Sequence, residues 1–175
     1  MKDKLIWLGN DHGGYKLKIV LTKYLIEKGY AVEDVGSHAN EIVRYPYYAS
    51  IVANAVLSGK AWRGILICST GIGMSIIANK YKGIRAALCC SSYQGKMTAA
   101  HNNSNILCMG GLCIRDVEAM DIVHNWLNTE YEGGRHDISL ELIKDAENIN
   151  FSRNNWTSDI FDAKIIMNNN FNKVP

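Results

Sequence analysis

The sequence has no long hydrophobic run, few prolines and little net charge. No apolar stretch approaches the roughly 18–20 residues that cross a bilayer, so no membrane partner is expected. The chain has 2 prolines among 175 residues and 21% charged residues, a composition that excludes a disordered or proline-rich protein. A formal net charge of +2 gives no reason to expect nucleic acid as a partner. Polar side chains interrupt residues 1–14 too early for a signal peptide, so we expect a cytoplasmic protein.

The cysteines lack the spacing of metal ligands. Five are present, an odd number, and no C-x-x-C pair is combined with a second pair or with regularly spaced histidines. The sequence therefore predicts no metal site. Four of them, Cys89, Cys90, Cys108 and Cys113, are interpreted as buried, reduced thiols. Cys68 is the exception because of the turn that follows it.

Nucleotide-binding fingerprints are also missing. Gly71 and Gly73 begin a G-x-G pattern, but Ile76 stands where a dinucleotide fingerprint has its third glycine. No G-x-x-x-x-G-K-[ST] loop occurs. Chemistry that depends on ATP or NAD is therefore not expected, and no cofactor is predicted.

What the sequence does contain is a regular alternation of short apolar runs and amphipathic segments. The runs predict strands at 5–8, 31–35, 64–68, 84–89 and 106–109, and the segments predict helices at 15–28, 47–57, 73–80, 93–100, 115–128 and 139–148. Such alternation is typical of an α/β fold, a Rossmann-like three-layer sandwich with a five-stranded parallel sheet. The pattern spans one domain, residues 1–150. The asparagine-rich extension 151–175 breaks it, and its aromatic residues indicate partial packing on the body or on a partner subunit.

Residues 65–80, ILICSTGIGMSIIANK, are the most informative stretch. A buried strand ends at Cys68, a small flexible turn follows, and a helix pattern begins at once. A strand, a glycine turn and a helix start in this order direct unpaired backbone N–H groups at one point. The sequence therefore predicts an anion-stabilising pocket with a thiol at its rim.

Two more polar segments are predicted near functional positions. Asp11 and His12 follow the first strand, so they should lie at the carboxyl edge of the sheet, where ligands bind in such folds. A functional role and a merely structural one, as a helix cap or an anion contact, are both open for His12. His101 and Asn102 end the fourth predicted helix and point either toward the same edge or toward a neighbouring subunit.

Several ordered motifs resemble the family of type B ribose-5-phosphate isomerases and galactose-6-phosphate isomerases over about residues 4–148. They are Asp11-His12, Tyr45-Pro46, the 65–80 stretch, GIRAALC at 83–89, His101-Asn102, NIL at 105–107 with Gly110-Gly111, and EGGRH at 132–136. The resemblance implies an aldose–ketose isomerase that works without a metal, through an enediolate.

The resemblance also implies catalytic roles. Cys68 matches the family's base, which moves a proton between C2 and C1 of the sugar. Some members use a glutamate of the glycine loop instead, but Met74 stands at that place. His101 matches the acid/base that opens the sugar ring, with Asp11 as its helper, and Thr70 matches a group that assists proton movement between the two oxygens.

Binding roles follow in the same way from the resemblance. The loop residues whose backbone N–H groups would hold the enediolate are Ser69, Gly71, Ile72 and Gly73. His12 and Arg135 match contacts to a phosphate, and Tyr45 and Asn102 match residues that line the sugar. A homodimer or a dimer of dimers with a shared active site is implied, with His101 and Asn102 reaching across.

Three positions depart from the family's pattern. Arginines that the family usually has are replaced by Ala99, Leu112 and Ser139, and the latter two positions commonly belong to the phosphate clamp. Arg115 and Lys96 are candidates to replace the missing charge. The resemblance implies a pentose or hexose phosphate such as ribose 5-phosphate or ribulose 5-phosphate as the substrate, whereas the missing arginines favour a different sugar. An unphosphorylated or differently phosphorylated sugar, or a non-catalytic sugar-binding role, are the alternatives.

Overall fold

A computed structural model describes residues 4–39 and 41–151 and shows an α/β fold. Its strands are β1 Leu5–Asn10, β2 Ala31–Asp34, β3 Arg63–Cys68, β4 Ala86–Leu88 and β5 Ile106–Gly110. Its helices are α1 Tyr15–Glu27, α2 Tyr45–Leu57, α3 Ile72–Ala78, α4 Ser92–Ala100, α5 Asp116–Asn128 and α6 Arg135–Asn150. A single 3-10 turn, His12–Gly14, precedes α1. Strands and helices alternate as the sequence predicts.

The five strands form one parallel sheet in the order β2-β1-β3-β5-β4. The predicted fold class is therefore confirmed. The chain moves from β1 outward to β2, then returns to place β3 on the other side of β1, so the direction of winding reverses between β1 and β3. In open parallel sheets, ligands bind beyond the carboxyl ends of the strands at this reversal. The loops that follow β1 and β3 both lie there.

Two hydrophobic layers cover the two faces of the sheet. One layer contains α1 and α5 residues packed on the central strands, with the fully buried Trp126 as its largest side chain. The other contains residues of α2 and α3, among them Met74, together with Cys68 and Cys108. Burial on both faces explains why β3 and β5 read as continuous apolar runs instead of alternating ones.

Three predicted boundaries shift, two of them for identifiable reasons. The strand predicted at 84–89 is only Ala86–Leu88, because the backbone N–H of Arg85 and that of Ala86 bond to asparagine side chains, not to the ladder. Helix α2 begins at Tyr45, since a proline fits in a first helical turn, where no backbone donor is needed. Helix α6 begins at Arg135, four residues before the predicted start.

Helix α6 lies apart from the core. None of its 16 residues is buried, and Ile138, Leu142 and Ile149 are exposed along it. The Gly83 backbone N–H donates to Glu147 Oε1 at 3.0 Å and ties the helix to the turn before β4. The predicted packing of the 151–175 extension falls almost wholly outside the described residues.

The cysteine prediction is half right. Cys89 and Cys108 are buried, but Cys90 and Cys113 are exposed, because each lies in a turn beyond the end of its strand. All five cysteines are free. Across residues 4–39 and 41–151, no helix has both the length and the apolar character that crossing a membrane requires.

Candidate active site

Cys68 is the last residue of β3, and its thiol lies under the turn that starts α3. The Gly71 backbone N–H donates to Cys68 Sγ at 3.1 Å, and the cysteine is only 5% exposed. The first residues of α3 have backbone N–H groups with no carbonyl partner inside their own helix. The turn therefore places one backbone donor on the sulfur and the start of a helix beside it, and backbone donors of this kind can stabilise an oxyanion.

The shape of this turn depends on Gly71. Its φ is +77°, in the left-handed region, and a Cβ there would lie 2.7 Å from the carbonyl carbon of Met109 and 2.6 Å from Leu88 Cδ1. Both the backbone conformation and the available space therefore exclude a larger residue. Glycine at this position allows the turn to pack directly against the end of β5.

Loops from three neighbouring strands close the carboxyl edge around Cys68. The Asp11 backbone N–H donates to Ile67 O at 3.2 Å, and the Gly111 N–H donates to Cys68 O at 2.8 Å. The Leu112 N–H donates to Ser69 O at 3.0 Å. These bonds continue the sheet ladder beyond the strands, so the edge is rigid and the loop positions are fixed by the backbone. We refer to residues 10–14, 68–74 and 110–113 together as the cradle.

The Asp11 carboxylate forms a hydrogen bond with the backbone of the cradle. Its Oδ1 accepts from the Gly13 N–H at 2.9 Å and caps the 3-10 turn, while only 5% of the residue is exposed. Burial raises the pKa of Asp11, and the nearby His12 and the backbone donors of Gly13 and Gly14 partly oppose that rise. His12 Nδ1 accepts from the Val43 N–H at 3.5 Å, so the imidazole lies between the first loop and the start of α2.

Tyr45 lies against the cradle, and Thr70 is part of it. A Cβ on Gly73 would lie 2.8 Å from atoms of the Tyr45 ring, so the ring rests on the glycine turn itself. Thr70 Oγ1 accepts from the Ile72 N–H at 3.3 Å, and the residue is exposed to solvent. The structure therefore brings Asp11, His12, Tyr45, Thr70 and the turn to one edge of the sheet, as the sequence predicts.

A second thiol, that of Cys108, is a neighbour of Cys68 in the same hydrophobic layer. It is fully buried on β5, and burial raises its pKa well above the usual range, with a further contribution from Cys68. Cys108 therefore remains a neutral thiol. The thiols of the cradle itself are those of Cys68 and the exposed Cys113.

His101 lies at the other edge of the sheet. It caps the carboxyl end of α4, and β5 starts only five residues later, so it is near the amino end of that strand. Cys68 pairs with Gly110 at the carboxyl end of β5. A five-residue strand separates the two positions by about 16 Å at roughly 3.3 Å per residue. Within one chain, the expectation that His101 points toward the edge where Cys68 lies is wrong.

The surroundings of His101 include other predicted residues. Its ring stacks on His136 with centroids 4.2 Å apart, and the Arg135 Nε donates to His136 Nε2 at 3.5 Å. Glu132 Oε2 lies 3.6 Å from the Nε2 atoms of both histidines. Arg135 and Asn102 are exposed at this edge, so they too lie far from His12 and Tyr45 of the same chain.

Sequence reasoning gave no role to Glu132 and His136. Both belong to the EGGRH motif, but their approach to His101 depends on the Glu132 backbone N–H, which donates to Ala100 O at 2.9 Å. That bond joins segments about thirty residues apart. The one available sequence signal was the spacing of a carboxylate and an imidazole four residues apart beside Arg135.

Residues that replace the family's arginines lie at both edges of the sheet. Leu112 is 76% exposed beside the cradle, and Ser139 is exposed on α6. Arg115 begins α5 near the cradle and its Nε lies 3.3 Å from Glu118 Oε2. Lys96 is exposed on α4. A large apolar side chain therefore faces solvent at a position where the resemblance leads us to expect an arginine.

The fold and the cradle define a doubly wound α/β protein with a glycine turn at its winding reversal. Comparison with known proteins gives the family. Residues 6–143 match the Ribose/Galactose Isomerase family model. The chain is 44% identical over 144 residues to "Ribose-5-phosphate isomerase B" of Escherichia coli, covering 82% of this chain and 97% of that protein. It is 41% identical to "D-erythrulose-4-phosphate isomerase" of Pectobacterium atrosepticum, covering 79% and 91%.

Solved structures agree. A structure of Clostridium thermocellum ribose-5-phosphate isomerase B superposes with a TM-score of 0.81 at 47% identity, covering 82% of this chain and 97% of that one. The chain belongs to the ribose/galactose isomerase family. It is an aldose–ketose isomerase, so the alternative of a non-catalytic sugar-binding protein is not supported.

Proposed function

We propose that this protein interconverts the aldose and ketose forms of a sugar phosphate such as ribose 5-phosphate, with Cys68 as the base. The observation that carries the proposal is the thiol of Cys68 under the Gly71 N–H, at the start of α3. Proton abstraction beside a carbonyl needs a base and an oxyanion site at adjacent positions. The cradle supplies both from seven consecutive residues.

The proton transfers can be assigned to groups of the cradle. The Cys68 thiolate removes the proton from C2, the C–H electron pair forms the C1–C2 double bond, and the carbonyl oxygen becomes an oxyanion. The backbone donors at the start of α3 stabilise that charge. Thr70 assists transfer of the hydroxyl proton between the two oxygens, and the Cys68 thiol then returns its proton to C1. Each preorganised donor of this kind contributes about 3–4 kcal/mol to the transition state.

The functional site is assembled from two copies of the chain. One copy would supply the cradle with Asp11, His12 and Tyr45, and the other would supply His101, Asn102 and Arg135. The support is the position of the two groups at opposite edges of one sheet, which no side-chain movement can bridge. The exposed apolar residues of α6, next to the His101 group, favour a contact between copies, as a homodimer or a dimer of dimers.

Complementation tests this shared site. Cys68→Ala and His101→Ala proteins should each be inactive, whereas a mixture that has been dissociated and reassembled should regain about a quarter of wild-type activity in a dimer. Half of the dimers would be mixed, and each would hold one intact site. A mixture that stays inactive after proven subunit exchange would contradict the shared site.

The reaction itself is tested by isotope exchange. Incubation of the protein with ribose 5-phosphate in deuterated water should place deuterium on C1 of the ribulose 5-phosphate formed, or on C2 of recovered aldose. Cys68→Ser should abolish both exchange and turnover. Turnover with complete retention of the original hydrogen in the product would contradict an enediolate that exchanges its proton with solvent.

A second candidate substrate follows from Leu112. Phosphate dianions are bound mainly by bidentate, charge-assisted contacts, and an exposed leucine beside the cradle provides none. This favours a sugar that is unphosphorylated or carries its phosphate at another position. Rates on ribose 5-phosphate, allose 6-phosphate, a four-carbon ketose phosphate and the free sugars distinguish the two candidates. Efficient use of ribose 5-phosphate, with a sharply higher KM in Arg135→Ala, would exclude the second.

A further inference from the structure

The group formed by His101, Glu132 and His136 has the composition of a transition-metal site. Its ligand atoms, two imidazole nitrogens and one carboxylate oxygen, all lie within 4.8 Å of one another. Glu132 Oε2 is 3.6 Å from Nε2 of each histidine. Donors around a tetrahedral zinc ion, at Zn–N and Zn–O distances near 2.1 Å, are separated by about 3.4 Å. Two of the three separations are therefore already close to those of a bound ion.

The backbone fixes these three residues in place. His101 caps α4, His136 lies in the first turn of α6, and Glu132 is tied to α4 by its N–H bond to Ala100 O at 2.9 Å. The His136 side chain is only 16% exposed, so one ligand is already largely withdrawn from water. The imidazole planes are stacked 13° apart and the Arg135 Nε donates to His136 Nε2 at 3.5 Å. One ring must therefore turn about its Cβ–Cγ bond, and this hydrogen bond must break, for both lone pairs to meet at one ion.

We propose that His101, Glu132 and His136 bind a divalent transition-metal ion such as Zn²⁺ and that the bound ion inhibits the isomerase. The ion would complete its coordination with water, as in sites that have three protein ligands. It would occupy the imidazole nitrogen that ring opening needs, so the inhibition rests on the proposed role of His101. The ion is an inhibitor and not a cofactor of the reaction.

Calorimetric titration of the full-length protein with ZnCl₂ tests the site without any assay of activity. Wild type should bind one ion per chain. Glu132→Gln and His136→Gln should weaken binding at least as much as the roughly 10–100-fold loss caused by removing an outer-shell partner. His124→Gln, which changes an exposed histidine on α5, is the matched control and should bind as wild type does. Equal affinity in all four proteins, or no binding by wild type, would overturn the proposal.

Cobalt substitution separates this site from the exposed cysteines. A Co²⁺ ion held by imidazole and carboxylate lacks the near-ultraviolet thiolate charge-transfer band. A strong thiolate band in the one-ion complex would place the ion on Cys90 or Cys113 and overturn the assignment.

Kinetics then test the inhibition. Zn²⁺ should inhibit wild type near its calorimetric Kd, and the inhibitory concentration should rise in the two variants by the same factor as the Kd, each compared with its own zinc-free rate. Zinc that binds with the expected pattern but leaves turnover unchanged would support the metal site and contradict the role of His101. If the chain did not isomerise the test sugar, calorimetry would still decide the metal site.

Discussion

At the carboxyl edge of the sheet, hydrogen bonds between backbones hold the loops together. At the amino edge, the cluster of His101, Glu132 and His136 is formed by contacts between side chains. In the cradle, main-chain hydrogen bonds between loops of three strands hold the turn in place, and the close packing around its glycines leaves no space for larger side chains. At the other edge, His101, Glu132 and His136 meet through side chains that remain partly exposed. The difference indicates that the backbone fixes the carboxyl edge, whereas the arrangement at the amino edge depends on the side chains of His101, Glu132 and His136.

Removing the Cys68 thiol should have the largest effect on the reaction rate. Cys68→Ala should lower kcat by roughly 10²–10⁴-fold, the range typical of loss of a positioned acid or base. Cys113→Ser is the matched control: this exposed thiol lies 3.6 Å from Ser69 O in the same cradle but has no proposed role. Steady-state kinetics on both proteins measure the difference. Equal rates in the two variants would remove Cys68 from the mechanism.

Two glycine-to-alanine variants separate the free-energy cost of a left-handed backbone conformation from the cost of overpacking the turn. Gly71→Ala should destabilise the fold by about 1–2 kcal/mol from its left-handed φ and by roughly another 1–3 kcal/mol from overpacking. Gly29→Ala has a comparable φ of +83° but meets nothing within 4 Å, so it should show only the first part. Denaturant unfolding of both variants measures the difference. Similar losses in both would mean that the cradle can open to accept a methyl group.

A cation at position 112 should make the cradle a better phosphate site. Leu112→Arg adds a guanidinium beside the turn, and a hydrogen bond to a charged group is worth about 1.5–3 kcal/mol, so KM for ribose 5-phosphate should fall about 10-fold or more. Leu57→Arg, at the exposed end of α2, is the control and should leave KM unchanged. An unchanged KM in Leu112→Arg would place the phosphate elsewhere.

The smallest expected effect is a change in how the free energy of unfolding depends on pH. Burial raises the pKa of Asp11 in the folded state above its unfolded value, so the ionised form is penalised on folding. Asp11→Asn removes that penalty while keeping an oxygen for the Gly13 N–H. The stability of the variant relative to wild type should therefore increase as pH rises from about 4 through the folded pKa, and then stay constant.

Urea unfolding at several pH values measures this trend. Asp11→Ala is the control, because it removes the cap as well as the charge and should be less stable than Asp11→Asn at every pH. A relative stability that falls with rising pH would show that the ionised carboxylate is stabilising after all.

The cradle could be predicted from sequence because it is local. Cys68, the glycine turn and the start of α3 are consecutive, and alternation of strands and helices brings the Asp11 loop to the same edge. The predicted parallel sheet already implied that His101, at the end of a connecting helix, lies at the amino edge, but the approach of Glu132 could not be predicted because it depends on a backbone bond between distant segments. The exposure of Cys90 and Cys113 was missed because both follow apolar strands whose ends local patterns locate poorly.

Helix α6 has a consequence for the lifetime of the active enzyme. A helix with no buried residue gains little from its own chain, and isolated helices of this length are marginal in water. Its amides should therefore exchange hydrogen rapidly in a dissociated chain and slowly once a second copy covers it. Since Arg135 and His136 form its first turn, dilution below the dissociation constant of the proposed dimer should unfold this helix before any of the sheet unfolds.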